Sequence, residues 1–264
     1  MDSGASSAQS CPACTATPSA DAAFCPGCGF PLADVSRPLV ALATVRANDA
    51  WRRVRSAGFC YLALLADVVG VRALSASDDT VGLFAAADIM MLVVVVAFAW
   101  TIRRGILGLF RIPRMDAVAW ALLLLGPASL WLLNRWLVST TRYLPGVLLS
   151  DPILELRLAG ASTWTVFLLV CVTPPVIEEI AFRGVILEQL GKPFGRWPAA
   201  VVVSVLFSVL HLAMLSFIPF AALALVLAAL RLRTRSLWPA IVGHAMFNFA
   251  TMFFDVGVRM IRPA

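Results

Sequence analysis

Glu178 and Glu179 stand side by side, with Arg183 four residues after the second, in a stretch from Pro175 to Leu187 that is otherwise apolar. Ionisable groups at membrane depth cost about 2.5–3.5 kcal/mol each on insertion scales, so three in one helix argue for use rather than packing. Glu179 and Arg183 are spaced to pair across one helical turn. Glu178 is rotated about 100° from Glu179 and lacks that partner. The chain's only two histidines also lie in apolar runs. Phe207 and His211 share one helix face, and so do His244 and Asn248. At about 1.5 Å per residue from the nearest charged or proline-marked turn, Glu178, His211 and Asn248 fall at similar depth. A carboxylate and an imidazole can take a proton from water, and an imidazole and a carboxamide can donate to an oxyanion.

Duller readings exist for each residue. A Glu179–Arg183 pair is also a common structural lock, and a membrane histidine or asparagine can serve as an interhelical hydrogen bonder. Phe207 reads first as packing. Thr173-Pro174-Pro175 interrupts the helix ahead of Glu178 and frees backbone carbonyls near Val170 and Cys171, as broken helices do where they line a cavity.

A second cluster lies near the N-terminus. Cys11-Pro-Ala-Cys14 and Cys25-Pro-Gly-Cys28 are two Cys-x-x-Cys turns ten residues apart. Two such turns supply the four thiolates of a tetrahedral structural Zn2+ site, with no open position for catalysis. Paired disulfides or free thiols are the alternatives, and a cytoplasmic N-terminus disfavours the first. Cys60 and Cys171 stand alone in apolar runs and read as small buried hydrophobes.

The elements that must hold these residues are set by composition. Of 264 residues, 61% are hydrophobic and 14% charged, and the mean hydropathy is +0.89. Those values exclude an ordinary soluble globule and predict an all-α, polytopic helical membrane protein with a small N-terminal zinc ribbon. Apolar runs at about 56–74, 81–102, 116–138, 161–190, 199–214, 216–231 and 237–256 give seven transmembrane helices, within a range of 6–8. The net charge of +6 comes from arginines in short blocks between the runs, a topology signal rather than a nucleic-acid-binding face. Those blocks place the N-terminus in the cytoplasm, and the polar first ten residues predict no cleavable signal peptide. After Ser150, Asp151-Pro152 predicts the start of a short interfacial amphipathic helix. The expected organisation is a zinc-ribbon module at 1–33, a basic linker at 34–55 and a membrane domain at 56–264.

The ordered set Glu-Glu-x-x-x-Arg, Phe-x-x-x-His and His-x-x-x-Asn resembles the CPBP, or Abi-like, intramembrane protease family. That family includes type II CAAX prenyl endopeptidases and bacteriocin-processing enzymes. The motifs cover about residues 160–256, little more than a third of the chain. The resemblance implies that Glu178 and His211 activate a water for attack on a peptide bond and that His244 and Asn248 stabilise the oxyanion. Glu179, Arg183 and Phe207 would support them. Glu178, His211 and His244 also form a two-histidine, one-carboxylate set suited to zinc, although no His-Glu-x-x-His is present; the resemblance favours a metal-free mechanism.

The expected function is therefore an intramembrane endopeptidase of a prokaryotic plasma membrane, acting on a membrane-associated or lipidated peptide. The ribbon would dock a cytoplasmic protein partner, and no nucleic acid is expected. The rivals are a non-catalytic relative that binds a peptide as an immunity protein and a small-solute or proton-coupled transporter. The absence of paired halves weakens the last.

Overall fold

A computed structural model describes residues 10–11, 14, 16–17, 22, 24–28, 36–74, 79–141 and 152–255. Among them every regular element is helical. The chain divides into two compact units, Met1–Arg52 and Arg53–Ala264.

In chain order the helices are α1 (Ser36–Ala73), α2 (Thr80–Thr101), α3 (Arg103–Leu107), α4 (Ala117–Thr141) and α5 (Pro152–Leu158). A continuous 32-residue helix, Thr163–Phe194, follows. Within it α6 (Thr163–Val166), α7 (Thr173–Glu179) and α8 (Leu187–Phe194) are separated by π-helical turns at Phe167–Val172 and Ile180–Ile186. Then come α9 (Arg196–Leu210), α10 (Phe217–Thr234) and α11 (Trp238–Ala250), the last ending in a π-helical turn at Thr251–Asp255.

Side-chain caps set several of these starts. Asp79 accepts from the Gly82 amide at 2.8 Å and opens α2, and Ser162 accepts from the Thr165 amide at 3.1 Å and opens α6. Asp116 accepts from the Ala119 amide at 2.8 Å at the head of α4 and takes a forked pair of bonds from Arg233. Those bonds, Arg233 first, hold the Asp116 carboxyl at about 2, below its usual 3.8. Between α8 and α9 the chain reverses at Gly195, whose φ of +88° favours glycine.

Among the described residues five helical stretches have the length and apolar character to cross a membrane: Ala47–Ala73, Thr80–Thr101, Ala117–Thr140, Thr163–Phe194 and Phe217–Thr234. The other two of the seven anticipated runs form shorter helices. The 15 residues of α9 reach about 22 Å at 1.5 Å per residue, short of a full crossing. It ends at Leu210 with His211 as its cap, and the next residue, Leu212, adopts a left-handed backbone with φ of +51°. The stretch 34–55, expected to be a linker, is helical from Ser36 and continuous with the first span. The short helix expected after Asp151 is α5, with Ile153 and Leu156 buried; Asp151 itself and residues 256–264 lie outside the described residues.

The main core joins α1, α2 and α3 to α7, α8 and α9, and includes Cys60, Leu64, Phe182, Val185 and Phe207. A second core joins α4, α10 and α11 through Leu123, Leu227, Ala240 and Phe247. These last helices meet closely at two glycines. A Cβ on Gly126 would sit 2.7 Å from Val226, and one on Gly243 would sit 3.0 Å from Leu227. Outward faces carry exposed Leu62, Val93, Trp136 and Val201, the surface expected to contact lipid.

Candidate active site

The proline pair shapes the helix that carries Glu178. Pro174 and Pro175 have no amide hydrogen, so the carbonyls of Val170 and Cys171 lose their helical donors and the preceding turn widens to a π-helix. Asn248 on α11 donates through Nδ2 to the Val170 carbonyl at 2.8 Å. The carbonyl anticipated to be free near Val170 is thus capped from another helix. Thr173 is also tied, its hydroxyl lying within hydrogen-bonding reach of Asp88 Oδ2 on α2 and 3.0 Å from the Leu168 carbonyl.

Beyond that point α7, the π-turn after it, α9, α10 and α11 converge. Arg183, fully buried, donates to Glu179 Oε1 at 2.7 Å and to the Ala224 carbonyl of α10 at 3.0 Å. Its guanidinium lies 4.6 Å from the centre of the Phe207 ring on α9. Glu179 also accepts from His244 Nδ1 at 3.0 Å. One carboxylate oxygen therefore links α7, the π-turn behind it and α11. The i,i+4 pair read from sequence is present, and it extends to a histidine the sequence gave no reason to include.

The two histidines face Glu178 through the same ring atom. His211 Nδ1 lies 2.8 Å from the Phe207 carbonyl, which can only accept, so this nitrogen carries hydrogen. His244 Nδ1 is likewise the donor to Glu179. Each Nε2 then points inward, and each lies 4.0 Å from Glu178 Oε2. That separation is too long for a direct hydrogen bond and is of the order that a bridging water spans. Glu178 Oε2 is buried and has no hydrogen-bond partner in the protein. Its side chain is 11% exposed and that of His211 27%, so the cluster opens on the His211 side. Phe207 packs between the two imidazoles, at 4.6 Å from His211 and 5.5 Å from His244, and Phe220 closes the other face of His211 at 4.8 Å.

The structure thus brings Glu178, Glu179, Arg183, Phe207, His211 and His244 into one cluster. Asn248 lies one turn beyond His244 and its described bond is to Val170. Two acids were missed in the sequence: Asp88 on α2 and Asp67 on α1, the former within electrostatic range of both Asp67 and Glu178. Each is a lone carboxylate in an apolar run, the same signal that singled out Glu178.

In the N-terminal unit Cys11, Cys14, Cys25 and Cys28 bring their sulfurs within 4.8 Å of one another. The Cys11–Cys28 and Cys14–Cys25 separations are 3.7 and 3.5 Å, far beyond a disulfide. Four sulfurs about 2.3 Å from a central zinc stand about 3.8 Å apart, so the set fits a tetrahedral ion. Burial raises the Cys25 thiol, but hydrogen bonds from the Gly27 and Cys28 backbone and from neighbouring thiols outweigh it and bring the group down to about 7. A Cβ on Gly27 would lie 3.1 Å from Ala16 and 3.5 Å from Cys14 Sγ, so the turn packs closely against the first knuckle there. Cys60 and Cys171 are buried, as expected of apolar fillers, with Cys171 Sγ 3.8 Å from Met252 Sδ.

Residues 160–250 match the family model described as type II CAAX prenyl endopeptidase Rce1-like, a stretch that holds all seven membrane residues singled out in the sequence and leaves the cysteine cluster outside it. Over 74 residues the chain is 31% identical to the protein of Bacillus subtilis (strain 168) named "Putative membrane peptidase YdiL". The match covers 28% of this chain and 30% of that relative's length. No solved structure matches. The chain is a helical membrane protein whose residues 160–250 are similar to the Rce1-like type II CAAX prenyl endopeptidases.

Proposed function

We propose that the chain hydrolyses a peptide bond in a membrane-associated or lipidated substrate, with Glu178 and His211 activating the attacking water. The observation that carries this reading is the buried, partnerless Glu178 Oε2 with an imidazole Nε2 on either side at 4.0 Å. A water in that gap donates one hydrogen to Glu178 and another to His211 Nε2. As its oxygen attacks the carbonyl carbon, its proton passes to Glu178, which later delivers it to the leaving amine nitrogen. His244, held by Glu179, is the oxyanion donor when its Nε2 is protonated, and Asn248 adds the amide hydrogen that Val170 does not use. Arg183 balances the charge of Glu179 and fixes the helix between α9 and α10.

The arginine blocks support a cytoplasmic N-terminus, which puts the 1–33 module in a reducing compartment. There the four cysteines would hold zinc as a structural ion, available for docking a partner.

The direct test is purified protein incubated with a library of lipidated and membrane-anchored peptides, wild type against Glu178→Ala and His211→Ala. Cleavage by wild type alone supports the assignment. Equal cleavage by all three, or none across the library, refutes it.

One observation favours a second reading. Both Nε2 atoms are free of hydrogen in the neutral rings and both Nδ1 atoms are anchored, the arrangement that prepares histidines to ligate a metal. His211, His244 and Glu178 would then hold a divalent ion acting as a Lewis acid. Metal analysis of a Cys11→Ala/Cys14→Ala variant separates the two: zinc that persists there and is lost on adding Glu178→Ala favours the metal.

A further inference from the structure

We propose that a basic cavity at one end of three membrane helices binds the phosphate headgroup of an anionic glycerophospholipid. The cavity has a volume of about 460 Å³. It lies where the apolar part of α1 begins, where α2 turns into α3 and where α8 ends, with Arg53, Trp100, Arg103, Glu188, Gln189 and Lys192 on its walls. These positions sit at the same boundary of three separate spans, so the cavity opens where lipid headgroups lie.

Its charge is one-sided. Arg53, Arg103 and Lys192 come from three different helices. The single acid on the wall, Glu188, is already ion-paired with the buried Arg231 of α10, so it does not cancel Arg103 and Lys192. Arg53 donates to Gln189 Oε1 at 3.3 Å, which steadies it against α8. Arg103 lies over the Trp100 ring at 4.7 Å, and Trp100 is 65% exposed at the end of α2, an interfacial anchor beside a cation. Basic pockets between helices at a membrane surface recognise anionic headgroups, whose phosphate takes several cationic donors and whose acyl chains run down the adjoining apolar helix faces. The cavity contains none of the residues assigned to hydrolysis, so the inference stands apart from that reading.

Native mass spectrometry of the purified full chain in zwitterionic detergent tests it, with added phosphatidylglycerol, phosphatidylcholine or inorganic phosphate. The expected result is retention of phosphatidylglycerol well above phosphatidylcholine, falling by roughly fivefold or more in Arg103→Gln/Lys192→Gln. An equal-charge control, Arg114→Gln/Arg196→Gln, should bind as wild type. Arg103→Lys, which keeps the charge, should retain the lipid and guards against a folding artefact. Equal retention of the two lipids, an unaffected cavity variant or an equal fall in the control overturns the proposal. Displacement of the lipid by equimolar inorganic phosphate makes this a free-anion site and overturns it as well.

Discussion

The Asn248 amide donates at 2.8 Å to the carbonyl of Val170, the carbonyl that Pro174 leaves without a helical donor. The bond fixes α11 to the π-helical turn ahead of Glu178. Asn248→Ala should therefore strand a half-buried carbonyl, at about 1 kcal/mol of stability. If the second amide hydrogen serves the oxyanion, kcat should also fall by about 10²–10³ with KM little changed. Thermal melts together with steady-state kinetics check both effects. Lost stability with kcat intact would make Asn248 a strap alone.

Glu178 and Glu179 are adjacent in sequence but should fail in opposite ways. Glu178→Gln removes the base and leaves no buried cation unpaired, so peptide cleavage should vanish while the melting temperature holds. Glu179→Gln leaves Arg183 buried with its charge unbalanced, at about 3–5 kcal/mol, so unfolding rather than chemistry should dominate. Comparing fluorescence melts with turnover of the surviving folded fraction checks the pair. The reverse ordering would exchange the roles assigned to the two carboxylates.

Much of this cluster was legible before any coordinates. An i,i+4 spacing dictates the Glu179–Arg183 bond, and charges in an apolar run mark the place of Glu178. What spacing cannot supply is the rotation of one helix about its axis relative to another. That is why the Glu179–His244 bond and the Asn248–Val170 bond emerged only in three dimensions. The end of α9 is not legible for a local reason, since the apolar run continues past His211 while a left-handed Leu212 stops the helix. Asp88 carries the same signal as Glu178, a lone carboxylate in an apolar run, but no motif surrounds it.

The N-terminal unit predicts a metal stoichiometry. Elemental analysis of purified protein should give one zinc for the four cysteines, and Cys11→Ser/Cys14→Ser should remove it. Because the sulfurs belong to a unit separate from the membrane cluster, peptide cleavage by that variant should persist. Wild type holding no metal at the ribbon, after purification without chelator, would count against the zinc assignment.

Thr173 ties α7 to α2. Its hydroxyl donates to Asp88 Oδ2 and lies 3.0 Å from the Leu168 carbonyl. Asp88→Asn keeps an acceptor oxygen for that hydroxyl, and Asp88→Ala does not. Asp88→Asn should therefore melt close to wild type, whereas Asp88→Ala, which also opens space between α2 and α7, should lose about 1–3 kcal/mol. Thermal melts of the two variants check this. Equal destabilisation by both would mean that the charge of Asp88, and not its hydrogen bond to Thr173, holds the contact.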